Sequence, residues 1–229
     1  MPAKPVSVLS IRLGTSFCYF ISGENGGLLI DAGIHRKALR LQSVLLAHER
    51  ELSDIRLIIL THTHHDHVGA AADIKTKVNA LIMVHAAEAD FLRRGRTPLP
   101  NGTTPLTHVS VQIGRLLRYG RYEPVEPDIL LHEAADLKPY GFDGYALPTP
   151  GHTIGSISVI LGEKAFVGDT LIGPRNGKIY APYLWNKKEL KKSWRALLDT
   201  GCRMFYPGHG RPISRARLLA AYNAWDAES

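Results

Sequence analysis

Short apolar runs that each lie within a few residues of a glycine, histidine or aspartate set the rhythm of this chain. Residues 55–60 (Ile-Arg-Leu-Ile-Ile-Leu) form a nearly unbroken apolar stretch of the kind expected of a buried strand, and it stops at Thr61, where a block of histidines begins. Residues 156–161 (Ser-Ile-Ser-Val-Ile-Leu) predict another strand, Ala165 to Val167 a third, and Met204 to Tyr206 a fourth. From Val68 the run Gly-Ala-Ala-Ala-Asp-Ile reads as the first turns of a helix. Further along, Leu190, Trp194 and Leu197 recur at helical spacing behind Asn186 as N-cap, with the neighbouring lysines left in water. A helix is also expected over residues 106–117, and the tail to Trp225 suffices for one more.

The polar residues at the strand ends carry the chemistry. His62, His64, Asp66 and His67 form a His-x-His-x-Asp-His block, a pattern that chance would produce on the order of once in a thousand such chains. His152, Asp169 and His209 stand beside Gly151, Gly168 and both Gly208 and Gly210, near the ends of the other apolar runs. Glycine lets the backbone turn sharply and approach a neighbour closely, which a convergent cluster requires. Imidazole and carboxylate donors suit zinc and similar divalent ions, whereas calcium and magnesium prefer all-oxygen shells. The seven residues therefore read as one metal site spread over four loops. His65, out of phase with the block, is expected to face outward.

At 229 residues with 45% hydrophobic and 21% charged content, the chain can bury one large core, so a single domain over residues 1–229 is expected. The start of the chain has no signal-peptide run and no stretch approaches about 18 apolar residues, which predicts a cytoplasmic protein with no membrane partner. Cys18 and Cys202 lie in apolar segments and read as reduced packing residues. The net charge of +7 is compatible with an anionic substrate. Its densest cluster, around Lys187 to Arg195, reads as a solvated helix face, so nucleic acid is not the expected partner.

With Leu29-Ile30-Asp31-Ala32-Gly33, the 62–67 block, His152, Asp169 and His209 in this order, the chain resembles the metallo-β-lactamase superfamily over about residues 7–213. The resemblance implies an α+β fold, a four-layer αβ/βα sandwich with metal sites along one edge. It implies that His62, His64 and His152 hold a first metal and Asp66, His67 and His209 a second, with Asp169 bridging them and Asp31 supporting the site from behind. The expected cofactor is two divalent ions, zinc first, with manganese or iron as alternatives. A hydroxide held between them would attack the ester, thioester or lactone bond of a small, anionic substrate, with Asp66 orienting it and passing a proton to the leaving group.

Within that superfamily the block and the Gly168-Asp169-Thr170-Leu171 segment are similar to glyoxalase II, although the helical C-terminal domain of that enzyme is not expected here. Quorum-signal lactonases place a tyrosine where this chain has Ile172, and Tyr180 or Tyr183 would have to replace it. A mononuclear iron sulfur dioxygenase and a phosphodiesterase are the alternative functions. Residues 91–145, with a loop rich in proline and glycine and the Arg118-Tyr119-Gly120-Arg121-Tyr122 stretch, are expected to form a lid or specificity insertion. Arg115, Arg118 and Arg121 of this segment, with Tyr183 from the loop after Asp169, are the candidate substrate contacts.

Overall fold

The computed structural model describes residues 7–23, 26–99, 101–102, 109, 111–113, 120–174 and 178–227. Among these residues the apolar runs become strands of two six-stranded sheets. The first contains β1 (Val8–Arg12), β2 (Phe17–Gly23), β3 (Gly26–Ile30), β4 (Ile55–Ile59), β5 (Leu81–His85) and, after the short β6 (Asn101–Gly102), β7 (Ile129–Leu131), in the order β1-β2-β3-β4-β5-β7. Its β1–β3 half is antiparallel and its β3–β7 half parallel. The second contains β8 (Ala135–Asp136), β9 (Gly144–Pro148), β10 (Ile157–Leu161), β11 (Lys164–Gly168), β13 (Met204–Pro207) and β14 (Ile213–Ser214), in the order β14-β13-β11-β10-β9-β8. Strand β12 (Tyr183–Leu184) pairs with β6.

Both faces of each sheet are covered, which explains why the central strands lack a polar alternation. In β4, Leu57 and Ile59 point between the sheets with Ile21, Leu28, Ile30, Val159 and Phe166. Ile58 and Leu60 point the other way, into a core shared with Leu41 and Leu45 of α1 (Ala38–Leu46), Ile74 of α3 (Ala71–Lys75) and Leu92 of α4 (Ala86–Arg94). On the far side, Ile160, Ala165 and Val167 pack against Leu190, Trp194 and Leu197 of α5 (Lys187–Asp199) and Leu218 and Trp225 of α6 (Arg215–Ala227). Three cores separate four layers, helix, sheet, sheet, helix, as an αβ/βα sandwich requires. Cys18 and Cys202 are buried and free. No helix among the described residues is long and apolar enough to cross a membrane.

Asn186 caps α5 as its side chain accepts from the amides of Lys188 and Glu189. The helix expected from Val68 differs. It begins earlier, as α2 (His65–Val68), and is broken at Gly69–Ala70 before α3. The break coincides with a contact from the 32–35 segment: the His67 carbonyl accepts from the Ala32 amide, and a Cβ at Gly69 would collide with the backbone of His35 and, at 2.5 Å, with the His65 carbonyl. Of the 91–145 segment, β7, β8 and the start of β9 belong to the sheets. Residues 109 and 111–113 are helical, and the rest of the expected 106–117 helix lies outside the described residues, as do Arg115 and Arg118.

Candidate metal centre

Asp31, the His62 block, His152, Asp169 and His209 follow the C-terminal ends of β3, β4, β9, β11 and β13, so both sheets deliver their polar loops to one edge of the sandwich. Asp31 adopts a left-handed backbone (φ 61°) that an aspartate tolerates at a strand end. Its carboxylate accepts from the Thr61 amide (2.7 Å) and the Thr61 hydroxyl (2.9 Å) and lies 2.8 Å from His67 Nδ1. One buried carboxylate thereby ties the ends of β3 and β4 to α2. Asp66 and His67 are on that short helix and not, as expected, on a loop.

The ring contacts determine which nitrogens face the centre. His67 Nδ1 donates to Asp31, His152 Nδ1 to the Tyr183 carbonyl (3.0 Å) and His209 Nδ1 to the Thr15 carbonyl (3.1 Å). The Thr61 hydroxyl spends its hydrogen on Asp31, so His62 Nδ1, 3.1 Å away, is a donor too. These four contacts place the hydrogen on Nδ1 and turn Nε2 of each ring towards the centre, the orientation that metal ligation needs. His64 is reversed: its Nδ1 lies 3.0 Å from both His62 Nε2 and His152 Nε2.

Three groups of donors converge: His62, His64 and His152; His62, His67 and Asp169; and Asp66, His67 and His209. Asp169 joins them, with His67, His152 and His209 Nε2 at 3.4, 3.6 and 3.5 Å from its oxygens. His209 Nε2 is also 3.3 Å from His67 Nε2 and 3.2 Å from Asp66 Oδ2. Tetrahedral zinc with nitrogens at 2.0–2.1 Å would hold them about 3.3 Å apart, close to these separations. Among the described residues, the buried Asp169 Oδ1 at the centre has no hydrogen-bond partner. Orphaned polar atoms of this kind are uncommon and point to a missing partner. The donor set and its spacing fit divalent cations.

Charge agrees with geometry. Burial, reinforced by neighbouring imidazoles, holds His62 and His64 well below the usual imidazole range, and burial lowers His152 as well, which favours the neutral ring at all three. Burial would raise Asp169 and Asp66, but the imidazoles around them win and keep both carboxylates ionised. Against the same burial, Asp169, Asp31 and Asp66 lift His67 well above its ordinary value, and Asp169 and Asp66 lift His209. Without a cation, protons thus supply the positive charge that the carboxylates demand.

The centre forms the floor of a cavity of about 640 Å³ walled by Leu99, Val111, Ile172, Pro174, Ala181 and Tyr183. His65, expected to face outward, instead lines this cavity, with Nδ1 3.8 Å from Asp66 Oδ1, and belongs to none of the three donor groups. Tyr180 stacks on Trp225 (ring centroids 5.3 Å apart) in the outer core, so of the two tyrosines only Tyr183 lines the cavity. Arg121 is exposed, bridges to the Arg96 backbone, and is absent from the described lining. Thr15 and Ser16 in the β1–β2 turn bind the Asp66 carboxylate (3.2 Å) and its carbonyl, respectively. In the sequence they look like ordinary turn residues.

Residues 11–209 match the family model of the metallo-beta-lactamase superfamily. The chain belongs to this superfamily. A probable metallo-hydrolase of Methanocaldococcus jannaschii is 29% identical over 86% of this chain and 88% of its own length. The beta-lactamase-like protein 2 homolog of Drosophila melanogaster is 28% identical over 85% of this chain but 58% of its own. Among solved structures, a protein crystallised in a di-iron-bound form superposes with a TM-score of 0.69 at 24% identity, covering 95% of this chain and 99% of that one. As a superfamily member with a His/Asp cluster, the protein falls among the metallo-hydrolases; the glyoxalase II branch is not singled out by these relatives.

Asp31→Asn tests the support behind the centre. An amide would turn an N–H towards Thr61 or His67, so divalent-metal affinity is expected to fall by about 10–100-fold, read by competition with a chromophoric chelator. Unchanged affinity would show that Asp31 serves only its strand end.

Proposed function

We propose that the protein is a binuclear metal-dependent hydrolase that cleaves an ester, thioester or lactone bond of a small molecule. The observation that carries this reading is the pair of complete donor sets joined by Asp169 at the floor of an open cavity. His62, His64 and His152 would hold one cation and Asp66, His67 and His209 the other, with zinc the first candidate and manganese or iron the alternatives. Bound there, the cations supply Lewis acidity that activates water and polarises the scissile carbonyl.

The chain's own groups do the rest. Thr61, Asp31, the Tyr183 carbonyl and the Thr15 carbonyl hold Nδ1–H of these imidazoles outward, so that Nε2 is the atom each ring presents to a cation, and the extra protons favoured on His67 and His209 would leave as it binds. Asp66, ionised and steadied by the Thr15 hydroxyl, lines the cavity and is the group placed to orient water and carry its proton to the departing atom. Leu99, Val111 and Ile172 offer an apolar wall to the substrate's body. Among the described residues the cavity lining carries no lysine or arginine, and Arg115 and Arg118 lie outside those residues.

The test is removal and return of metal. Chelated protein is expected to lose at least about 100-fold of its activity on aryl acetates, acyl thioesters and lactones, and to regain it with zinc or manganese. Cleavage of a phosphodiester in their place would move the substrate class. Oxygen consumption on a persulfide with one iron per chain, and no hydrolysis, would replace the reading with the sulfur dioxygenase.

A further inference from the structure

Glu88 is fully buried in the first turn of α4, yet it forms no salt bridge among the described residues. A carboxylate taken out of water without a counter-ion is retained only where its hydrogen bonds are many and well placed. Both oxygens of Glu88 are used. Oε2 accepts from the Thr63 amide (3.0 Å) and, at close range, from the Thr63 hydroxyl, while Oε1 accepts from the Gly155 amide (3.2 Å). Thr63 separates His62 from His64 on the first sheet's loop. Gly155 lies three residues after His152 on the second sheet's loop. A Cβ at Gly155 would sit 2.5 Å from Glu88 Cγ, so the glycine is what admits the carboxylate.

We propose that Glu88 is a positioning residue that clamps these two loops together, so that His64 Nδ1 and His152 Nε2, 3.0 Å apart, converge on one cation. This rests on the two-cation reading above. The loops hang from opposite sheets, and Glu88 is one carboxylate that hydrogen-bonds to both. The Thr97 hydroxyl, which donates to the Thr63 carbonyl and meets the Tyr122 hydroxyl at 2.8 Å, braces the same loop. The other donor set depends on a different carboxylate, Asp31, through His67. Glu88 therefore acts on the three-histidine set and leaves the Asp66, His67 and His209 set alone.

The experiment is a metal titration of the full chain, with cobalt absorption reporting the ligands of each site. In Glu88→Gln the amide cannot accept from both backbone N–H groups, and in Gly155→Ala the methyl displaces the carboxylate from the other side. Each variant is expected to weaken one of two binding steps by about 10–100-fold, change the cobalt spectrum of that site, and leave the second step unmoved. Thr63→Val, which removes only the hydroxyl donor, is expected to do the same more weakly and keeps the test available should the other two fail to fold. Folded variants that bind both ions as the unaltered protein does, or that lose both steps equally, would overturn the role of Glu88 alone. An unaltered protein that binds no metal would overturn the two-cation reading, and the role of Glu88 with it.

Discussion

Asp169→Ala is expected to lower kcat/KM by at least about a thousandfold, equivalent to roughly 4 kcal/mol of barrier, even at saturating metal. Asp169 is the carboxylate that reaches three imidazoles, from His67, His152 and His209, within 3.6 Å, and so touches both proposed cation positions. Alanine leaves those positions without a shared anion, so the two cations would repel across the gap with nothing between them. The fold should hold, because Asp169 contributes no side-chain packing to the cores. The neighbouring anchor, Trp194 Nε1 donating to the Thr170 carbonyl at 2.8 Å, is a backbone contact that survives. Asp169→Asn keeps the shape and removes the charge, and the same collapse of activity is expected there. Steady-state kinetics on folded protein decide the matter, and activity within tenfold of the unaltered enzyme would contradict the bridging role.

Gly208→Ala should be nearly as damaging although glycine donates nothing. A Cβ at this position would strike the His67 ring and sit 2.8 Å from Asp169 Oδ1. Backbone hydrogen bonds prevent the loop from backing away: the Gly208 amide donates to the Gly168 carbonyl (2.8 Å) and its carbonyl accepts from the Phe17 amide (2.7 Å). The methyl must therefore push the ligands. A displacement of about 1 Å at reacting groups costs on the order of 100-fold in rate. Metal retention after gel filtration and kcat should both fall while the melting temperature changes little. Full metal content and unchanged kcat would show that the loop can yield.

Much of this was legible in the sequence because the strand ends and the ligands coincide. The apolar runs at 55–60, 156–161 and 204–206 correspond to β4, β10 and β13, and their lack of polar alternation agrees with burial of both faces in the four-layer sandwich that the family resemblance implies. All seven His and Asp candidates meet at one edge, since glycines beside His152, Asp169 and His209 mark the turns that bring them in. What was not legible depends on distance in space. The break at Gly69 coincides with the 32–35 segment pressing on α2, a contact no local pattern encodes. His65 reads as outward by its spacing, yet α2 begins one residue before Asp66 and turns it to the cavity. Glu88, Thr15 and Ser16 lie between 25 and 67 positions from the groups they serve and have no motif around them.

Counting the metal tests the central claim most directly. Protein loaded with zinc and freed of excess by gel filtration should carry two ions per chain by elemental analysis, with His152→Ala and His209→Ala each retaining about one. Protein that keeps no metal after loading, or that keeps the same amount when both histidines are removed, would contradict a binuclear centre built from these residues.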